Sequence, residues 1–160
     1  MPGLGLQLGL GLTTQGGRDL LSAVPVLLSS TPSDDATDVA VDTTIVLTFD
    51  VGVAAGTGNI VLRDISGTPA VVETFNVATG TGDGGGTVVF SGSAVTITPG
   101  SSLNASDDYS IQVASTAVEN ALNASLTYAG IANDTTLNFT TLGASAGTSM
   151  GLLLSLTYSS

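Results

Sequence analysis

At 160 residues the chain has room for one domain of about 100–150 residues with extensions at its ends, and a domain of that size buries a core without staples. It contains no cysteine, histidine, lysine or tryptophan, which removes disulfides, thiolate metal sites and any nucleophile activated by an imidazole or an amine. Only Arg18 and Arg63 offset 13 acidic side chains, and the net charge of −11 argues against nucleic acid and against anionic membrane surfaces as partners. Charged residues make up 9% of the chain and apolar ones 42%, the opposite of an acidic disordered segment. Solubility therefore rests on Ser, Thr, Asn and scattered Asp, a surface suited to packing against neighbours.

The first element in chain order carries leucine at Leu4, Leu6, Leu8, Leu10 and Leu12, with glycine in nearly every gap. A secretory signal needs basic residues ahead of an unbroken apolar stretch, and nothing basic precedes Leu4. A membrane helix needs about 20 predominantly apolar residues; Gln15-Gly16-Gly17-Arg18-Asp19 interrupts the run well before that. Interior glycines cost a helix about 1 kcal/mol each relative to alanine. In an extended chain the spacing of two puts all five leucines on one face and Gly3, Gly5, Gln7, Gly9 and Gly11 on the other. Such a strand requires a partner, and residues 3–13 are read as an arm that pairs with, or inserts into, something else.

From about Val24 to Leu142 short alternating segments are separated by turn clusters, the pattern of an all-β sandwich. The predicted strands lie at Val26–Thr31, Ile45–Phe49, Ile60–Asp64, Val71–Asn76, Val88–Phe90, Val95–Thr98, Tyr109–Val113 and Leu137–Phe139, which gives seven to nine in all. Only Ala114–Leu126 leaves room for a short helical turn. Gly143–Ser149 reads as a small-residue linker, and Met150–Tyr158 as a second apolar strand with Leu152, Leu154 and Leu156 on one face. The expected organisation is an N-terminal assembly arm over 1–24, a sandwich over 25–142, and a linker with a C-terminal strand over 143–160. The leucines of both arms are the candidate assembly interface.

The segment Pro25–Phe49, with Pro32, the small polar turn Ser33–Asp38 and then Val39, Ile45, Leu47 and Phe49, resembles the opening of the bacterial Ig-like domain of the SbsA type. The resemblance continues through Val95–Pro99, Leu103, Asp108–Val113, Ala117–Asn120, Tyr128–Ile131 and Leu137–Thr141, and so covers roughly residues 25–141. Residues 51–94 are longer and richer in glycine than that pattern, and Ala121-Leu122-Asn123 lacks its acidic-Gly-Asn turn. The resemblance implies an Ig-like β-sandwich that serves as a non-catalytic spacer or display module in S-layers, adhesins and virion proteins.

Two stretches invite chemistry. Thr79–Thr87 is glycine-rich, but a phosphate loop needs a lysine, and a dinucleotide loop needs a helix where Thr87–Phe90 reads as a strand. The stretch is expected to be a long flexible hairpin loop. Asp34, Asp35, Asp38 and Asp42, with Asp50, Asp64 and Asp83 at other strand ends, make calcium the one cofactor the loops could offer. They show no EF-hand spacing, and turn-capping is the ordinary use of such residues. No catalytic, cofactor or metal residue is assigned, and the chain is not expected to be an enzyme.

With arms at both ends and no export signal read at its start, the chain is expected to be a structural protein of a tailed-phage virion, assembled in the host cytoplasm. It would be a capsid decoration, cement or fibre subunit, either a homo-oligomer or docked on a major capsid or tail protein, with a host surface glycan as a further partner for its loops. The alternative expectation is a binding module of a bacterial cell surface or adhesin.

Overall fold

The computed structural model describes residues 14–15 and 18–144. Among these there is no helix. A short antiparallel hairpin, β1 (Thr14–Gln15) with β2 (Arg18–Asp19), precedes the sandwich. The sandwich strands are β3 (Leu27–Thr31), β4 (Ala36–Val39), β5 (Ile45–Phe49), β6 (Val53–Ala55), β7 (Asn59–Asp64), β8 (Ala70–Asn76), β9 (Thr81–Gly82), β10 (Thr87–Ser91), β11 (Ala94–Thr98), β12 (Asp108–Val113), β13 (Val118–Asn120), β14 (Asn123–Thr127) and β15 (Asn138–Thr141). These are thirteen strands where seven to nine were expected: each of the eight predicted segments is a strand (β3, β5, β7, β8, β10, β11, β12 and β15), and β4, β6, β9, β13 and β14 come in addition. The helical turn allowed for in Ala114–Leu126 is absent, and β13 and β14 pair there instead.

Two sheets face each other. One is ordered β3-β5-β11-β10, the other β8-β7-β12-β15-β4. These correspond to the A-B-E-D and C′-C-F-G sheets of an immunoglobulin-like sandwich, with β4 as the second half of a split first strand. The split is set at Pro32, which has no N–H to continue a ladder: β3 pairs antiparallel with β5, and after the cis Thr31–Pro32 bond β4 pairs parallel with β15 in the opposite sheet. On the far flank β9 bonds to both β8 and β10, so the hydrogen-bonded sheet wraps from one layer into the other. A small third sheet, β14-β13-β6, lies across one end.

Period-two burial builds the core. Ile45, Leu47 and Phe49 of β5 point inward with Val95 and Ile97 of β11; they meet Ile60 and Leu62 of β7 and Ile111 and Val113 of β12 in one apolar cluster. An aromatic pair marks each end. Phe49 and Tyr128 pack edge-on with ring centres 5.2 Å apart, and the cross-strand partners Tyr109 and Phe139 stack at 5.8 Å.

The chain enters the sandwich at one end and leaves it at the other. Past the last residue of β5, the Asp50 N–H donates to Val26 O, where the first strand begins. Ahead of β5, Val39 O accepts from the Leu142 N–H, just past the last strand. Residues 26 and 142 are thus separated by the length of a five-residue strand, roughly 17 Å. Phe49→Ala empties the packing at the first of these ends, where Phe49 is 2% exposed. The expected loss is about 3–5 kcal/mol of unfolding free energy, measured by urea denaturation.

Candidate functional site

The expected interface residues Leu4, Leu6, Leu8, Leu10, Leu12, Leu152, Leu154 and Leu156 lie outside the described residues. What the structure does show is how the sandwich holds the chain next to the N-terminal one of these two segments, and how its longest loop is held. Three groups of side chains do this work.

The first fixes the incoming chain. Asn120, 2% exposed on β13, donates through Nδ2 to Leu20 O at 2.8 Å and to Ala23 O at 2.7 Å, while its Oδ1 accepts from the Leu122 N–H. Asn123 Nδ2 adds a bond to Leu21 O at 3.0 Å. A buried amide must satisfy both its donors and its acceptor, and here the lead-in backbone supplies the acceptors. Residues 20–23 are therefore part of the folded body. Around this clamp apolar side chains stand in solvent: Val24 and Val26 are each 47% exposed, Leu28 65% and Leu122 58%. Leu20 and Leu28 share a groove with Phe49 and Val51.

The second group surrounds a buried carboxylate. Glu73 takes an inward position of β8 and is 3% exposed. Its Oε1 accepts from the Gly86 N–H at 2.6 Å and its Oε2 from the Gly100 N–H at 2.8 Å. The loop closes on it because it is glycine: a Cβ on Gly82 would collide with Glu73 Oε1, one on Gly84 would sit 2.9 Å from the Glu73 carboxyl carbon, and one on Gly100 would run into Gly84 O. Asp83 strengthens the closure, its N–H donating to Thr74 O and its Oδ1 accepting from the Thr74 N–H. The stretch expected to be a flexible loop is thus a wrapped one, organised by a side chain that precedes it. Alternation along Val71–Asn76 places Glu73 inward, and that is the signal that could have revealed it.

The third group secures the outgoing end. Tyr109 Oη accepts from the Asn104 N–H at 2.9 Å, five residues upstream, a tyrosine-corner arrangement. The nearly buried Thr141 receives the Asp107 N–H and donates to Asn104 O. Burial pushes the Tyr109 phenol above its ordinary 10.0; Asp107 and Asp64 push the same way, and the Asn104 N–H works against them. Burial alone raises Tyr128.

Elsewhere Asp134 Oδ1 accepts from Ser110 Oγ at 2.7 Å and from Gln112 Nε2 at 2.9 Å, with Arg63 Nε 3.0 Å away. This network ties the loop before β15 to the β7–β12 face, with Ser110 fully buried inside it. The aspartates weighed for calcium are engaged within the fold or set at its turns and strand ends. Asp34 Oδ1 accepts from the Asn138 N–H and Nδ2, Asp64 Oδ1 accepts from the Ser66 N–H, and Asp35, in a turn, and Asp38, within β4, adopt φ of 56° and 57°. Among the described residues no three His, Cys, Asp or Glu side chains are placed to hold a metal ion.

A model of the family described as bacterial Ig-like domain matches residues 22–141. The match begins inside the segment clamped by Asn120 and Asn123 and ends at Thr141. No curated protein matches the chain.

Two outcomes are expected. Glu73→Ala strands the N–H of the buried Gly86, worth about 1–3 kcal/mol without a partner, while the N–H of the exposed Gly100 can turn to water. Denaturant unfolding should therefore show a loss of roughly 1–3 kcal/mol, with Glu73→Gln falling between it and the parent because one oxygen remains to accept. As for pH, a phenol whose folded pKa is raised contributes stability that is complete below its unfolded value and lost as pH climbs through the folded one. The thermal midpoint should thus fall above about pH 10 through Tyr109 and Tyr128, and the Tyr109→Phe chain should show a shallower fall in the same titration.

Proposed function

Since the chain belongs to the bacterial Ig-like domain family, we propose that it is a non-catalytic structural module that brings one sandwich into a larger assembly through its terminal arms. Domains of this kind are generally binding or structural modules rather than catalysts. The observation that carries the reading is the placement of residues 26 and 142 at opposite ends of the sandwich. Chain segments that continue from opposite ends can grip two different neighbours, whereas a catalytic site needs its groups to converge.

In this reading the assembly is the virion of a tailed phage, and the protein is its capsid decoration, cement or fibre subunit. An acidic, lysine-free domain is displayed outward, away from nucleic acid, and the uncharged leucine ribbons make the contacts. The same opposite-end geometry favours a second reading, a spacer or adhesin module of a bacterial cell surface, in which neighbouring domains continue the line.

Sedimentation velocity over a range of concentrations separates the two. The first expects a homo-oligomer for the full chain and a monomer for residues 14–160, in which the clamped segment is kept. A full chain that remains monomeric at every concentration sinks the assembly reading and leaves the surface module.

A further inference from the structure

We infer that the outer edge of β3 is the docking site for residues 3–13 of a second copy of this chain, added as a further strand to the β3-β5-β11-β10 sheet. The inference rests on the assembly reading above and says where an arm binds.

The two flanks of the sandwich are treated differently. On one flank β9 joins the layers and leaves little edge. The other flank ends in β3 on one sheet and β4 on the other. Sheet edges are ordinarily guarded by charge, proline or a bulge. In β4 the guard is Asp38, at φ 57°, beside a register shift against β15. β3 has its own register shift between Leu27 and Ser29, and Pro32 follows its last residue, but it holds no charged residue from Leu27 to Thr31 and leaves Leu28 65% exposed. Val24, Val26 and Leu28 form an alternating apolar strip, and Leu28 stands between two grooves, one containing Leu20 and Phe49 with Asp50 at its side, the other Leu27 and Leu137 with Asp34. This edge resembles a template for strand addition, in which main-chain bonds give affinity and alternate side chains give register.

Charge selects the occupant. Each copy carries −11, so two sandwiches repel; residues 1–17 carry no charged side chain, and neither does β3. The arm also has the required pattern. Its leucines repeat every second residue and match the strip, while its glycines keep the opposite face free of clashes over Leu27 and Leu137.

The assembly reading selects a neighbour's arm over the chain's own, because in that reading the arms are what join one copy to the next.

The test compares the full chain, the chain lacking residues 1–13, and full-length Leu28→Lys by sedimentation, with amide hydrogen exchange at β3. The expected result is that Leu28→Lys weakens self-association roughly 30-fold or more, as loss of a central contact does. A synthetic peptide of residues 1–13, added to the truncated chain, should slow exchange in β3. If Leu28→Lys and Val26→Lys both assemble like the parent while the truncated chain does not, the arm grips elsewhere. This inference then falls, and the assembly reading stands. If the truncated chain still assembles, the arm is not what joins the copies and this inference falls. A monomeric full chain whose β3 amides lose protection on truncation would show the chain's own arm on the edge, overturning the second copy as occupant. Leu28 lies mostly in solvent, so the unfolding midpoint of Leu28→Lys should match the parent's in the truncated background, and a drop there directs the comparison to Val26→Lys.

Discussion

Every other feature depends on the demand that two inward faces cover one another. No disulfide is possible and aromatic residues are only 4% of the chain, so aliphatic burial carries the fold. Ile45, Leu47, Val95 and Ile97 on one side and Ile60, Leu62, Ile111 and Val113 on the other reach nearly zero exposure together. An aromatic pair closes each end of this layer, Phe49 with Tyr128 where the chain arrives and Tyr109 with Phe139 where it departs. Because strand side chains alternate strictly, this single layer dictates which residues remain outside to meet solvent or partners.

The buried carboxylate of Glu73 is the exception inside that apolar layer, and it shows how the long connection between β8 and β10 is held. A charge removed from water must have its lone pairs met, and here backbone N–H groups from Gly86 and Gly100 meet them, one on each oxygen. That solution works only if the main chain comes within hydrogen-bond reach on several sides at once, which is why glycines gather at 82, 84, 86 and 100. The glycine richness of this stretch is a packing requirement imposed from across the loop. It needs no phosphate and no mobility to explain it.

The same economy governs the ends. Side chains on β13 and β14 hold the incoming segment, and the Tyr109–Thr141 cluster holds the loop that borders the outgoing one. The sandwich thereby becomes a rigid bar that presents one chain segment at each end, with an apolar, uncharged strip along the flank near its start. Its polar networks, such as the Asp134 cluster, bind the protein to itself.

Patterning along the chain was enough to read the sandwich. Inward faces at Ile45–Phe49, Val95–Ile97 and Tyr109–Val113 are strong period-two signals, and each is a strand at that place. Alternation along Val71–Asn76 is consistent with the inward position of Glu73, although an isolated carboxylate in an alternating run does not say what meets it. Short strands such as β6, β9 and β13 escaped notice because two or three residues carry no period, and pairing with distant partners alone makes them strands. The clamp by Asn120 was invisible for a related reason: its acceptors lie about a hundred positions away in the chain. By itself, then, the sequence determined the all-β class, the core faces and the acidic character, since these follow from local alternation and composition. Tertiary structure alone decided that the chain enters and leaves at opposite ends, that the glycine loop is wrapped around Glu73, and that β3 lies at a sheet edge, because each of these depends on which remote segments are brought side by side.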